Sequence, residues 1–201
     1  MIIASLQAVL TFALVLFLLL PVHRLSPAYR LAALLGLVLV ALIPLSTGLT
    51  LAGLLRGLTD DLAMTSVVWL VAASIIRLGY LPPVPLAAKW QLWLCFAIIG
   101  LVLYPAALGV GMIDTYRWGY SPRILIVAVA ALTVLFVVLR NTLGVVMLAF
   151  ATLAFMLDLK PSDNYWDYLV DPFVVIYSFF APLFALARGR NNKHAAQGAT
   201  R

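Results

Sequence analysis

The stretch ILIVAVAALTVLFVVLRNTLGVVMLAFATLAFML, residues 124–157, decides how this chain folds. Its apolar run is broken in the middle by Arg140-Asn141-Thr142. As one helix it would run roughly 50 Å at a rise of 1.5 Å per residue, too long for a single crossing of a bilayer core of about 30 Å. Folded back at the polar triplet, it becomes a hairpin of two short arms, 124–139 and 143–157. The choice sets the side of the membrane on which every later residue lies.

Composition makes the membrane the right frame. The chain is 65% hydrophobic and 10% charged, with a mean hydropathy of +1.12, whereas a soluble domain carries about 25% charged residues. Apolar runs at 2–22, 31–47, 62–78, 92–112 and 172–187 join the hairpin arms to give about seven transmembrane helices. No run alternates in polarity as a β-barrel strand would.

Charge then selects the hairpin. With it, one side collects Arg24, Arg30, Arg77, Lys89, Arg140, Arg188, Arg190, Lys193 and Arg201, without an acid. The other side collects Arg56, Arg117, Arg123 and Lys160 together with all 7 acids, every one an aspartate. Without the hairpin, the most acidic loop would join the basic ones. Short basic loops stay cytoplasmic. The expected fold is therefore an all-α integral membrane protein of the bacterial inner membrane, amino terminus outside and carboxyl terminus cytoplasmic. Residues 1–187 form one multi-pass domain, and 188–201, RGRNNKHAAQGATR, a basic, disordered cytoplasmic tail. The first run lacks a basic start and exceeds a signal-peptide core, so it is expected to remain as a helix.

The net charge of +6 does not indicate nucleic acid, because the basic residues sit in short loops with no basic stripe. The 1 cysteine, Cys95, lies in an apolar run and reads as an inert buried thiol. Tyr29, Tyr80, Trp90 and Trp93 are expected at the inner interface. Tyr116, Trp118, Tyr120, Tyr165, Trp166 and Tyr168 are expected at the outer one, where rings with one wet end settle.

Three outer segments hold nearly all the polar chemistry. In STGLTLAGLLRGLTDDLAMTS, 46–66, the middle either lies along the surface as an amphipathic helix or extends the second span. Thr59, Asp60 or Asp61 caps the third span; alternatively Arg56, Asp60 and Asp61 hold a headgroup or a cation. In GMIDTYRWGYSPR, 111–123, Asp114 and Arg117 are spaced to pair on a helical turn. Ser121-Pro122 suits a helix start, and Arg117 and Arg123 suit a phosphate. In SDNYWDYLVDP, 162–172, a short surface helix over 163–170 would put Asp163 and Asp167 on its wet face. Tyr165, Trp166, Leu169 and Val170 would then face the lipid or the bundle, and Asp171-Pro172 would open the last span.

Catalytic constellations are missing. There is no G-x-S-x-G, H-E-x-x-H or P-loop. His23 and His194 fall on the cytoplasmic side, away from the aspartates, so no metal and no cofactor is expected. The last span has no lysine for a retinal Schiff base.

RGLTDDLAMTSVVWL, 56–70, resembles the R-G-L-x-x-D-L-S-type segment in the membrane domains of the lipoteichoic acid synthase and phosphoglycerol transferase superfamily. NYWDYLVDP is similar to the aromatic-and-aspartate segment before their last membrane helix. The resemblance covers about 30 residues and implies Arg56 and Asp61 as matching positions. It also implies a membrane domain without the extracytoplasmic catalytic half that carries the family's metal and threonine nucleophile, and with more spans than the family has. The expected function is a non-enzymatic accessory of an envelope glycan or lipid-headgroup pathway. Headgroup contacts would come from Arg56, Asp60, Asp61, Asp114, Arg117 and Arg123. Contacts with an envelope-pathway membrane enzyme would come from Asp163, Tyr165, Trp166 and Asp167. A small transporter or flippase for an anionic or lipid-linked substrate is the second expectation. A cation-dependent enzyme using the outer aspartates is the third. The sequence sets no oligomeric state.

Overall fold

A computed structural model describes residues 2–46, 48–110 and 114–198, without the side chains of 2–4, 23 and 188–198. Thr47, Gly111–Ile113 and the side chains of His23 and His194 thus lie outside the described residues. The chain is all-helical there, with helices α1 (Ile2–Leu19), α2 (Pro27–Ala41), α3 (Leu51–Thr59), α4 (Met64–Leu78), α5 (Leu86–Ala107), α6 (Arg123–Val138), α7 (Thr142–Met156), α8 (Trp166–Leu169) and α9 (Pro172–Gly198).

The chain breaks at 139–141, as charge required. Arg140 takes φ +55. Asn141 accepts from Gly144 N at 3.1 Å to start α7, and its Nδ2 donates to Ala88 O at 3.0 Å and Gln91 Oε1 at 2.8 Å on α5. One fully buried side chain therefore caps one arm of the hairpin and ties the turn to another helix. Prolines set three further starts: Pro27 opens α2, Pro85 precedes α5 and Pro172 opens α9, where a missing N–H costs nothing. This moves α5 to Leu86–Ala107 from the expected 92–112, so Lys89 is helical rather than in a loop.

The amphipathic part of 46–66 forms a helix of its own, α3, capped by Thr50 through Gly53 N at 3.1 Å. α9 runs on to Gly198, past the expected end at 187. The expected mobile tail falls on residues whose side chains lie outside the described set.

Connections alternate between two ends. At one end Arg30 Nη1 donates to Arg77 O at 2.9 Å, and Arg77 reaches back to the carbonyls of Leu18 and Leu20. At the other, Gln7 Nε2 donates to Leu62 O at 2.7 Å beside the aspartate-bearing loops. The main core joins α5, α6, α7 and α9 with 165–170. Val175 on α9 packs so closely on Gly100 of α5 that a Cβ there would lie 2.3 Å from Val175 Cγ1.

The expectation of about seven membrane spans meets an all-helical chain whose apolar helices differ in length. Among the described residues, α5 alone is by length and composition long and apolar enough to cross a membrane. Six apolar helical stretches are shorter: Ser5–Leu19, Pro27–Ala41, Met64–Leu78, Arg123–Val138, Thr142–Met156 and Pro172–Ala187. Proline starts and left-handed stops such as Gly79, φ +95, trim them. A 15-residue helix covers about 22 Å.

Candidate functional site

The segment 162–171 is a plug, not a surface helix. Only Trp166–Leu169 is helical. Tyr165 and Tyr168 are fully buried and Trp166 nearly so; Tyr165 and Trp166 take the bundle-facing alternative rather than the lipid or a partner surface, and Tyr168 is corrected from its expected place at the outer interface. Each ring has a specific reason to be inside. Tyr165 stacks on Phe155 at 4.7 Å, and its hydroxyl lies 2.6 Å from Thr152 Oγ1 on α7. Trp166 Nε1 donates to Thr115 O at 3.0 Å. Tyr168 Oη donates to Lys160 O at 2.9 Å. Trp93, expected at the inner interface, is also buried.

Asn164 fixes the plug to the 3-10 turn Tyr116–Gly119. Its Nδ2 donates to Tyr116 O at 3.1 Å, and Tyr165 N donates to Gly119 O at 3.1 Å. Gly119 is required by closeness, because a Cβ there would lie 1.6 Å from Asn164 Oδ1. From α4, Thr65 Oγ1 donates to Leu169 O at 2.7 Å.

Above the plug, at the aspartate end, lies a cavity of about 320 Å³. Asp60, Asp61, Asp167 and Asp171 line it with Lys160, Tyr116 and Ser162. Each group except Asp60 has a defined structural partner. Asp61, nearly buried, takes a two-pronged ion pair from Arg56, with Nε to Oδ1 and Nη2 to Oδ2 both 2.8 Å. Asp167 accepts from Tyr116 Oη at 3.0 Å and Ser162 Oγ at 2.5 Å. Asp171 Oδ1 accepts from Val174 N at 2.8 Å, the helix-start cap expected of Asp171-Pro172. Asp60 is exposed, at the end of α3 with φ +57.

Lys160 is the group that sequence reasoning passed over. Its ammonium donates to three carbonyls: Asp61 O at 2.7 Å, Asp167 O at 2.8 Å and Leu62 O at 3.3 Å. Burial lowers its pKa from the usual 10.5, opposed by the neighbouring carboxylates, Asp167 first. Tyr116 is pushed above its usual 10.0 by burial and then by the charge of Asp167. Burial also raises Tyr165 and Tyr168. A signal was there to read: Lys160 is the single lysine on the aspartate side of the charge map.

The remaining predicted residues lie apart. Asp114 accepts from Arg117 N at 3.1 Å rather than pairing with the guanidinium, because a side chain two residues ahead of a 3-10 turn reaches the turn's N–H groups first. Arg117, Arg123 and Asp163 are exposed and do not line the cavity. α6 starts at Arg123 after Pro122 with no side-chain cap, so Ser121 does not cap it. Thr59, Asp60 and Asp61 do not cap α4 either; Asp171 reaches across to do so, accepting from Ala63 N at 2.9 Å. Among the described residues no three of His, Cys, Asp and Glu come together as a metal-holding group.

Below the cavity, an apolar groove of about 410 Å³ runs between α1, α4 and α9, lined by residues such as Val15, Leu70, Ala73 and Tyr177. Thr59 lines both spaces. Compared with family models, curated proteins and solved structures, the chain matches none.

Proposed function

We propose that this chain is a multi-pass protein of the bacterial inner membrane and a non-enzymatic accessory of an envelope pathway. It seats a lipid headgroup in the aspartate-lined cavity and offers a surface on the same side to a membrane enzyme. The supporting observation is a cavity of charged and hydroxyl groups at one end of a bundle whose flanks are aliphatic. Ile124, Val127 and Val138 on α6 and Leu183 and Phe184 on α9 are all exposed, a surface that lipid covers without cost.

In this reading all seven apolar helices cross, amino terminus outside and carboxyl terminus inside. The short ones are matched by interfacial segments and local thinning of the bilayer. The surface for a partner enzyme is Arg117, Trp118, Tyr120, Arg123 and Asp163, all exposed on the segments of the aspartate side. Kinship with the lipoteichoic acid synthase superfamily fits the two positions that carry it, since Arg56 and Asp61 form the ion pair at the cavity edge.

Transport has less behind it. A polar path through the bundle needs hydroxyls linked to one another, yet Thr133 and Thr152 donate to Val129 O and Leu148 O on their own helices, Thr65 is held by Leu169, and Ser66, Ser74 and Ser178 have no hydrogen-bond partner among the described residues to link them.

The test is the lipid carried by the full chain purified from native membranes, for wild type and for Asp60→Asn with Tyr116→Phe. The reading expects one headgroup class enriched over the bulk membrane and lost in the variant. A carried population identical to the bulk in both proteins would refute it. A carboxyl-terminal reporter checks the topology and should be active only in the cytoplasm.

A further inference from the structure

Four carboxylates line the cavity. The cations that answer them are Lys160 and, bound to Asp61, Arg56, which leaves an excess of two negative charges. Lys160 has no capacity left for a ligand phosphate, because its three donors are already on carbonyls. The cavity is therefore built for a positive group.

The groove beneath it carries a second, independent feature. Ser66 on α4 lines the groove and is over nine-tenths buried, with its Oγ lacking a hydrogen-bond partner among the described residues. A buried hydroxyl without a partner is costly, and a ligand acceptor in the groove would satisfy it. From Ser66 to Ala73, deeper in the same groove, is about 10 Å along the helix.

Beside groove and cavity, and sharing Thr59 with both, lies a crevice of about 10 Å³ lined by Arg56, Thr59 and Asp61. Arg56 spends Nε and Nη2 on Asp61, and its Nη1 has no hydrogen-bond partner among the described residues. The order along the path is aliphatic at Val15, Leu70 and Ala73, a hydroxyl donor at Ser66, a guanidinium with a hydroxyl at Arg56 and Thr59, and carboxylates at Asp60 and Asp167. That sequence mirrors an acyl chain, an ester carbonyl, a phosphate and an ammonium.

We propose that the ligand is an aminophospholipid that enters sideways from the bilayer, with an acyl chain in the groove between α1, α4 and α9 and its ammonium among the aspartates of the cavity. This rests on the headgroup reading above and adds the class of lipid and its route. The phosphate is placed at Arg56, and the amine is held chiefly by Asp60, the cavity carboxylate without a side-chain hydrogen bond among the described residues.

The full chain in nanodiscs of defined composition decides it. Phosphatidylethanolamine and phosphatidylglycerol of matched chains compete, and native mass spectrometry reads the bound lipid. Wild type should prefer phosphatidylethanolamine by about tenfold, the worth of one charge-assisted contact. Asp60→Asn should bring that ratio close to one. Ala73→Phe, which fills the groove, should lower lipid occupancy about tenfold yet leave binding of water-soluble glycerophosphoethanolamine unchanged; Val15→Phe replaces it if the first variant is not monodisperse. Equal binding of the two lipids, or a preference for phosphatidylglycerol, overturns the proposal. So does full lipid occupancy in both groove-filling variants. If glycerophosphoethanolamine binds but the groove variants change nothing, the headgroup reading survives and the lateral route fails. If neither lipid is retained above the bulk, both fall.

Discussion

Oδ2 of Asp171 accepts a hydrogen bond from the backbone N–H of Ala63, 108 positions away, at 2.9 Å. Oδ1 of the same carboxylate accepts from Val174 N at 2.8 Å. One buried side chain therefore serves the openings of α4 and α9 together, and both helix dipoles favour its negative charge. A single cap is worth about 1 kcal/mol. Asp171→Ala should lower stability by roughly 2 kcal/mol or more, since it also leaves buried N–H groups unpaired. Asp171→Asn keeps one acceptor oxygen and should lose about half as much. Thermal unfolding of the detergent-solubilised chain distinguishes them, and equal losses would show that only one of the two caps matters.

Arg56 and Asp61 make a pair in which the burden is uneven, because Asp61 is 4% exposed and Arg56 is 35% exposed. Removing the arginine strands a buried carboxylate, whereas removing the aspartate frees a cation that can reach water. Arg56→Ala should therefore cost about 2 kcal/mol, and Asp61→Asn less than half of that. Arg56→Lys should not restore the wild type, because a single ammonium cannot match both carboxylate oxygens. Chemical denaturation of the two single variants and the double variant gives the coupling. A double variant as unstable as the sum of the singles would mean that the pair contributes nothing.

The cavity should also shape stability at alkaline pH. Tyr116, held neutral by burial and by Asp167, has a folded pKa above its unfolded 10.0. Such a group contributes stability that is fully present below 10.0 and lost as pH rises beyond it. Lys160 runs the other way. Its folded pKa lies below 10.5, so the unfolded chain holds its proton longer and stability rises as pH approaches 10.5. The two slopes oppose each other near pH 10. Lys160→Met should remove the rising part and make the fall above pH 10 begin earlier. Tyr116→Phe should flatten the fall, at the cost of the bond to Asp167. Unfolding midpoints measured from neutral pH upward test both, and parallel curves for all three proteins would contradict the assignment.

Periodicity and breakers carried the helices well, because a polar triplet or a proline interrupts an apolar run whatever the tertiary contacts. Arg140-Asn141-Thr142 is the clearest instance. The site was harder to read. Asp163, Asp167 and Asp171 look like a helical stripe at a spacing of four, yet the helix there is only Trp166–Leu169. What shapes the segment instead is Asn164 on Tyr116 and Thr152 on Tyr165, contacts with residues up to 48 positions away that no local pattern encodes. Aromatic residues flanking apolar runs suit an interface and a core equally, so Tyr165, Trp166 and Tyr168 could be assigned only once their partners were in view. Lys160 was overlooked for a related reason: its partners are backbone carbonyls, which leave no trace in side-chain identity.

The hairpin that governs the whole topology rests on one close contact. A Cβ at Gly144 would lie 2.7 Å from Cδ2 of Phe136, a ring that is 2% exposed and has no room to retreat. Overfilling such a site costs about 1–3 kcal/mol, against a gain of about 1 kcal/mol for replacing a helical glycine with alanine. Gly144→Ala should therefore be destabilised by roughly 1 kcal/mol net. Phe136→Leu alone leaves a small void and should cost about 1 kcal/mol. Combined, the added methyl occupies the space the ring vacates, so the double variant should be more stable than the sum of the singles by about 1 kcal/mol. Thermal unfolding of the four proteins closes the cycle. If Gly144→Ala alone proves more stable than wild type, the arms are not held at this distance, and the turn must be set by Asn141 through Ala88 and Gln91 instead.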